Sequence, residues 1–229
     1  KKTLGLAYAL SMIDLVVSPA TPSNTARSGG IVLPIIESLS DTFGSKVSDG
    51  TEDKIGSYLV FNEFHANTIS SSLFMTASAP NVAAVGLAAA NGVKISWLGW
   101  VAAAIVPALI SFILVPIIIY KMYPPKIKET PNAKEWADGQ LKEMGAIKAS
   151  EKVMMAVFIL ALVLWMLSSF IGLDATWVAF MATALLLVTG VLTTKDMLSE
   201  TGAWNVVVWF SILIFMANQL SLEGGVIPW

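Results

Sequence analysis

The stretch SPATPSNTARSGGIVLP, residues 18–34, decides how this chain is read. It interrupts an apolar passage with three prolines, a Ser-Asn-Thr triplet, an arginine and two adjacent glycines. Irregular backbone survives at membrane depth only where protein or a water-filled cavity satisfies it. The first question is therefore whether the surroundings belong to lipid.

They do. The chain has 229 residues, 55% hydrophobic and 13% charged, with a mean hydropathy of +0.71. Soluble domains carry about 25% charged residues. Segments 95–120, 153–173, 175–194 and 201–222 contain no charged residue, and 64–93 contains only His65. Each approaches or exceeds the ~20 residues that cross a bilayer as helix. Such uninterrupted runs are unlike the short alternating segments of a barrel. A net charge of −2 says nothing about partners. The absence of cysteine excludes disulfides, thiolate metal sites and cysteine nucleophiles. The chain begins Lys-Lys-Thr and ends Ile-Pro-Trp after an apolar segment, and reads as a stretch of a longer protein.

Lys121, Lys126, Lys128, Lys134, Lys142, Lys148 and Lys152 are half of the 14 basic residues, and all lie in 121–152. The positive-inside rule makes this loop cytoplasmic. It opens extended and then reads as an amphipathic interfacial helix bearing Trp136, Leu141, Met144 and Ile147. Counting outward, 55–90 rises, 97–120 descends, 153–171 rises, 175–193 descends and 204–222 rises. Turns 91–94 and 172–174 are then outside, and 41–54 is inside.

Residues 4–40 do not fit one crossing. The arms 4–17 and 31–39 are each short, and 18–30 lies between them. The economical solution is a re-entrant hairpin that enters from the cytoplasm and returns there. A second break falls in SSSLFMTASAPN, residues 70–81. Pro80 lacks an amide donor and disfavours helix at Ala79. Segment 55–90 therefore reads as a discontinuous helix broken near 76–81.

Broken helices at mid-membrane offer amides and partial positive charge to anions, and carbonyls and hydroxyls to cations. Ser23 and Asn24 are good caps for a helix starting near Thr25. Thr76 and Ser78 flank the second break. Facing one another, these tips would suit a carboxylate. Ordinary capping accounts for Ser23–Asn24–Thr25 equally well. Gly29 and Gly30 read as an allowance for close helix packing. Glu37 and Glu63 read as residues of the cytoplasmic mouth, and His65 as a packed or interfacial side chain. Arg27 either pairs with Asp14, reaches for the interface, or balances a bound anion. No metalloprotease, phosphate-loop or nucleophile-elbow motif is present, nor any nucleic-acid motif. The reading is therefore of a non-enzyme with no metal site and no nucleic-acid partner.

Taken together, SPATPSNTARSGGIVLPII, SSSLFMTASAPN, EWADGQLKEMGAIKASEK and ANQLSLEGGVIPW resemble the divalent anion:sodium symporter family along the whole chain. The likeness is to its exchanger branch of citrate–succinate and tartrate–succinate antiporters and plastid 2-oxoglutarate/malate translocators. The resemblance implies an all-α polytopic membrane protein with two inverted repeats, elevator motion, a homodimer and a multi-pass place in the cell (inner) membrane. It implies that residues 1–54 form a re-entrant hairpin and its cytoplasmic connection. Residues 55–120 would then close repeat one with the broken helix, 121–152 form the cytoplasmic loop, and 153–229 open repeat two. A second hairpin would follow Trp229. The substrate expected is a dicarboxylate or tricarboxylate. Ser23, Asn24, Thr25, Thr76, Ser78, Pro80 and Asn81 are its expected contacts. Symporters of the family usually place a small residue where Arg27 stands here. Arg27 is thus expected to take the place of sodium and compensate the substrate's charge, giving sodium-independent exchange without any cofactor. The alternatives are a sodium-coupled symporter and a non-transporting membrane module whose polar breaks serve packing.

Overall fold

The computed structural model describes residues 2–131 and 133–221, which fold as helices and connecting turns. The expected terminal segment beyond residue 221 and the second hairpin lie outside the described residues. Helix α1 (Thr3–Val17) runs into a 3-10 turn, Ser18–Ala20. Thr21 is then extended at φ −118°, as expected of a residue before a proline, here Pro22. Helix restarts at α2 (Asn24–Arg27), passes through a π-helical turn at Ser28–Val32, and continues as α3 (Leu33–Thr42). An added Cβ at Gly29 or Gly30 would meet nothing within 4 Å, so these glycines do not serve the close packing that the sequence suggested. They lie in the π turn instead.

Helix α4 (Gly56–Leu73) receives both arms. Ala7 and Leu10 of α1, Val32, Ile36 and Leu39 of the second arm, and Tyr58 and Leu59 of α4 share one buried cluster. Ile119 joins them from α6 (Trp97–Met122), a helix of 26 residues. The start of the 3–42 passage and the turn that follows it, 53–54, are tied to one segment. Thr3 donates from its amide to Lys128 O at 3.0 Å and from Oγ1 to Ile127 O at 2.6 Å. Beyond α3, Ser45 Oγ accepts from Gly56 N at 3.0 Å, and Ile127 N donates to Lys54 O at 2.9 Å. Lys126 and Asp53 pair beside them at 2.6 Å.

The helix after α4 is interrupted. Phe74 is extended, Met75–Ala77 forms a 3-10 turn, Ser78 is extended, and α5 (Ala79–Ala90) restarts with Pro80 in its first turn. Proline is favoured there because its missing N–H would be unpaired in any case.

In the loop, α7 (Ala133–Met144) carries Trp136 against the first cluster. Leu141 and Met144 are exposed on it, whereas Ile147 lies past its end. Helices α8 (Ala149–Ile171) and α9 (Ala175–Val188) form an antiparallel pair across a left-handed Gly172 at φ 66°. Trp165 and Val178 pack there with Met75 and Trp97 in a second cluster. Helices α10 (Thr194–Ser199) and α11 (Thr201–Ser221) follow.

Among the described residues, four helical stretches are long and apolar enough to cross a membrane: Thr3–Ala20, α6, α8 and α11. Their exposed faces carry large apolar side chains such as Ile110, Ile159 and Phe215, as lipid or partner helices require. The described residues form an all-helical polytopic membrane protein. Two lengths differ from the sequence reading. Thr3–Ala20, at 18 residues, is longer than the short arm expected, because the 3-10 turn extends it. The expected 175–193 crossing has only 14 helical residues, because Gly190 at φ 69° ends the helix early.

Candidate functional site

The two breaks lie side by side. Thr76 Oγ1 donates to Pro19 O at 2.6 Å and accepts from Trp97 Nε1 at 3.2 Å. One hydroxyl thereby links the first break, the second break and α6. Asn81 Nδ2 donates to Ser71 O at 2.7 Å and Phe74 O at 3.1 Å. These carbonyls lose their helical partners where α4 stops, so Asn81 braces the break. Pro80 is exposed and acts through its backbone.

At the first break, Ser23 Oγ accepts from Ala26 N at 3.2 Å, the expected N-cap bond. Asn24 Oδ1 accepts from Thr25 N at 2.9 Å. No described residue accepts from Asn24 Nδ2 or pairs with Ser78 Oγ, and Thr25 is exposed. The sequence-derived set thus divides. Asn24 Nδ2 and the Ser78 hydroxyl retain donors for a ligand, and the exposed Thr25 hydroxyl makes only a 3.5 Å contact to Asn24 Oδ1. Ser23 accepts as a cap, and Thr76 and Asn81 spend their donors on holding the breaks in shape.

Arg27 stands at the centre of the junction, fully buried. Its Nε donates to Asp14 Oδ1 at 2.8 Å, and Asp14 is fully buried as well. Nη1 donates to Thr21 O at 2.9 Å and Ala77 O at 3.3 Å. Nη2 donates to Ser71 Oγ at 2.7 Å and Ser70 Oγ at 3.3 Å. All five N–H donors of the guanidinium are therefore used. Their acceptors are a carboxylate, two carbonyls and two hydroxyls, drawn from α1, both breaks and α4. Of the roles open for Arg27, pairing with Asp14 is what the geometry displays. No guanidinium edge is left to touch a substrate.

The sequence reading missed the inward face of α4. Asn62, Glu63, Asn67, Ser70 and Ser71 are all buried. Asn67 Nδ2 donates to Asp14 Oδ1 at 3.0 Å and to Asn24 O at 3.1 Å, joining the ion pair to the tip. Ser70 Oγ also bonds Asp14 Oδ2. Asn62 Nδ2 reaches Ser11 Oγ at 2.9 Å. The signal was present in the spacing of 63, 67, 70 and 71, which share one helical face. Glu63 belongs to this buried face, with 2% exposure, and not to an open cytoplasmic mouth. His65 meets Phe61 and Phe64 edge-on, as an aromatic packing residue does.

A cavity of about 980 Å³ opens beside the tip, lined mostly by apolar groups including Val16, Ile31, Phe158 and Trp165. Its chemistry suits hydrocarbon. The polar donors suited to a carboxylate lie at the breaks themselves. Among the described residues, no group of three or more His, Cys, Asp and Glu side chains could hold a metal ion.

Polar helix breaks in contact within a polytopic helical protein are a construction that membrane transporters use. The family profile described as "Sodium:sulfate symporter transmembrane region" matches residues 1–229, and the chain belongs to that family. It is 50% identical to the "Putative malate transporter YflS" of Bacillus subtilis (strain 168), over 100% of this chain and 48% of that protein. It is 44% identical to "Dicarboxylate transporter 2.1, chloroplastic" of Arabidopsis thaliana, over 100% of this chain and 41% of that one. It is 40% identical to "Inner membrane protein YbhI" of Escherichia coli (strain K12), over 96% of this chain and 46% of the relative. The chain thus spans less than half the length of these relatives. The family is described as one of symporters, and two of these three relatives are named as transporters.

Proposed function

We propose that this chain forms part of a secondary transporter of the cell (inner) membrane that exchanges dicarboxylates, or tricarboxylates such as citrate, without sodium. The observation that carries the reading is the oxygen cage around Arg27. A carboxylate, two carbonyls and two hydroxyls gathered at two helix breaks form the kind of donor set that binds a hard cation. Here a tethered guanidinium fills it. A cation that cannot leave cannot be coupled to a gradient. The relatives named for malate and dicarboxylate transport support the substrate class.

In this reading Asn24, Thr25 and Ser78 receive the substrate's carboxylate, aided by the N-terminus of the helix that starts at Asn24. Asp14 neutralises Arg27 locally. Arg27 therefore compensates the substrate by holding the tip's donors in place, without presenting a bare charge. Residues 3–42 form a re-entrant hairpin. In support, the start of this passage and the turn 53–54 that follows it are both bonded to the basic segment 126–128. Inverted repeats, elevator motion and a homodimer complete the proposal. Counterflow in proteoliposomes tests it. Labelled succinate or malate should enter only against internal dicarboxylate and regardless of sodium. Uptake driven by a sodium gradient into vesicles without internal dicarboxylate would establish the symporter instead. Absence of succinate, malate, 2-oxoglutarate and citrate binding would leave the breaks as packing features.

A further inference from the structure

Glu63 is the one buried charged residue that the tip's hydrogen bonds do not employ among the described residues. It is 2% exposed, and no described residue donates to either of its carboxylate oxygens. Asn62 Oδ1 beside it is equally without a donor. A buried carboxylate lacking both a donor and its own counter-ion is strongly disfavoured. The available cation, Arg27, is already committed to Asp14 through its Nε. Two carboxyl groups therefore share one guanidinium. Glu63 stands one helical turn before Asn67, which itself bonds Asp14.

The remaining charged and titratable groups around α4 do not resolve the imbalance. Glu37 and Asp41 on α3 are exposed. Glu52, Asp53 and Lys54 lie in the turn before α4, where Asp53 is paired with Lys126. Tyr120 and Lys121 close the C-terminal end of α6, with Tyr120 packed on Tyr58, and Tyr8 of α1 bonds Ile113 O. His65 turns to Phe61 and Phe64.

We propose that Glu63 is an exchangeable proton site, holding one proton beside the Asp14–Arg27 pair. This deepens the transport reading and rests on it for its consequence. Asn67 links Asp14 to the backbone of Asn24, so the charge state of the carboxyl pair reaches the tip through a single side chain. With the proton in place, the buried set is neutral and the cage stays closed around Arg27. When the proton leaves, a second buried negative charge draws on the guanidinium. The same charge opposes a dianion arriving at Asn24 and Ser78. Substrate binding and proton retention on Glu63 thus favour one another. A proton fits better than a metal cation here, because Arg27 already occupies the oxygens a metal would need.

Two measurements on the complete purified protein test this. The first is infrared difference spectroscopy of wild type against Glu63→Gln at neutral pH, without substrate. Wild type should show the deuterium-sensitive carbonyl stretch of a carboxylic acid, absent from the variant. A wild-type spectrum lacking that band overturns the proton site. Glu63→Gln supplies a permanent N–H donor at the same place and mimics the protonated state. Should it fail to fold, Glu63→Asp serves, with a shifted band expected and an unshifted one overturning the assignment. The second is succinate binding from mildly acid to mildly alkaline pH. Wild-type affinity should fall as pH rises, toward the limit of about tenfold per pH unit for one coupled proton. The variant should lose that slope. Equal slopes overturn the coupling. If neither protein binds succinate at any pH, the dicarboxylate reading fails, and the infrared band alone decides the proton site.

Discussion

At the scale of single residues, Arg27 and Asn24 play opposite parts. Arg27 is saturated by protein acceptors, so Arg27→Ala should act first on folding. Truncating one partner of a buried ion pair leaves the other uncompensated, a loss of about 3–5 kcal/mol. Thermal unfolding of the purified protein should show it, and pairing the change with Asp14→Asn should recover part of the loss. Additive losses would mean the pair is not energetically coupled. Asn24 keeps an amide donor that no described residue uses. Asn24→Ala should therefore weaken substrate binding by about tenfold or more, as a lost hydrogen bond to a charged group does, with little change in stability. Calorimetric titration with succinate reads this directly, and an unchanged affinity removes Asn24 from the site. Ser23–Asn24–Thr25 was legible as a triplet from proline spacing and capping preference. The division of labour within it was not, because it depends on which atoms of other helices arrive nearby.

At the scale of elements, the second break depends on side chains that substitute for a missing helical turn. Thr76→Val keeps shape but removes both the bond to Pro19 O and the acceptor for Trp97 Nε1. A loss of about 1–3 kcal/mol is expected for the indole left unpaired. Hydrogen exchange should show faster opening of 74–78 while α8 is unaffected. Uniform change across both would mean that Thr76 is not a local link. Further along, α10 begins with a reciprocal cap between Thr193 and Asp196. The Thr193 hydroxyl and amide hold the exposed Asp196 carboxyl below its ordinary range. The cap's contribution is thus complete above the ordinary carboxylate range and disappears as pH falls through the lowered value. Amide exchange at Thr193 and Asp196 should stay protected at mildly acid pH and accelerate only in stronger acid. The position of the second break followed from Pro80. The end of α9 did not, since a left-handed Gly190 stops the helix well inside an apolar run.

For the whole molecule, the arrangement places segments 2–3, 45–54 and 126–129 at one end of the bundle. This chain contains no cysteine, so single cysteines placed in it report topology once any others of the complete protein are replaced. A cysteine at Gly139 should react with a membrane-impermeant maleimide only from the cytoplasmic side, and one at Val93 only from the opposite side. Labelling of both from one side would overturn the assigned orientation. Composition and charge segregation alone establish the membrane class, because hydrocarbon excludes unpaired charge whatever the fold. The same logic marks residues 18–34 and 70–81 as breaks, since proline removes donors locally and predictably. What only tertiary structure decided is the pairing. Asp14, Arg27 and Ser70 lie far apart in the chain, and their meeting depends on α1 and the second arm both packing on α4. Glu63 shows the limit most clearly. Its helical spacing was open to view, but its burial follows from which face of α4 the two arms cover, and that is a property of packing between helices.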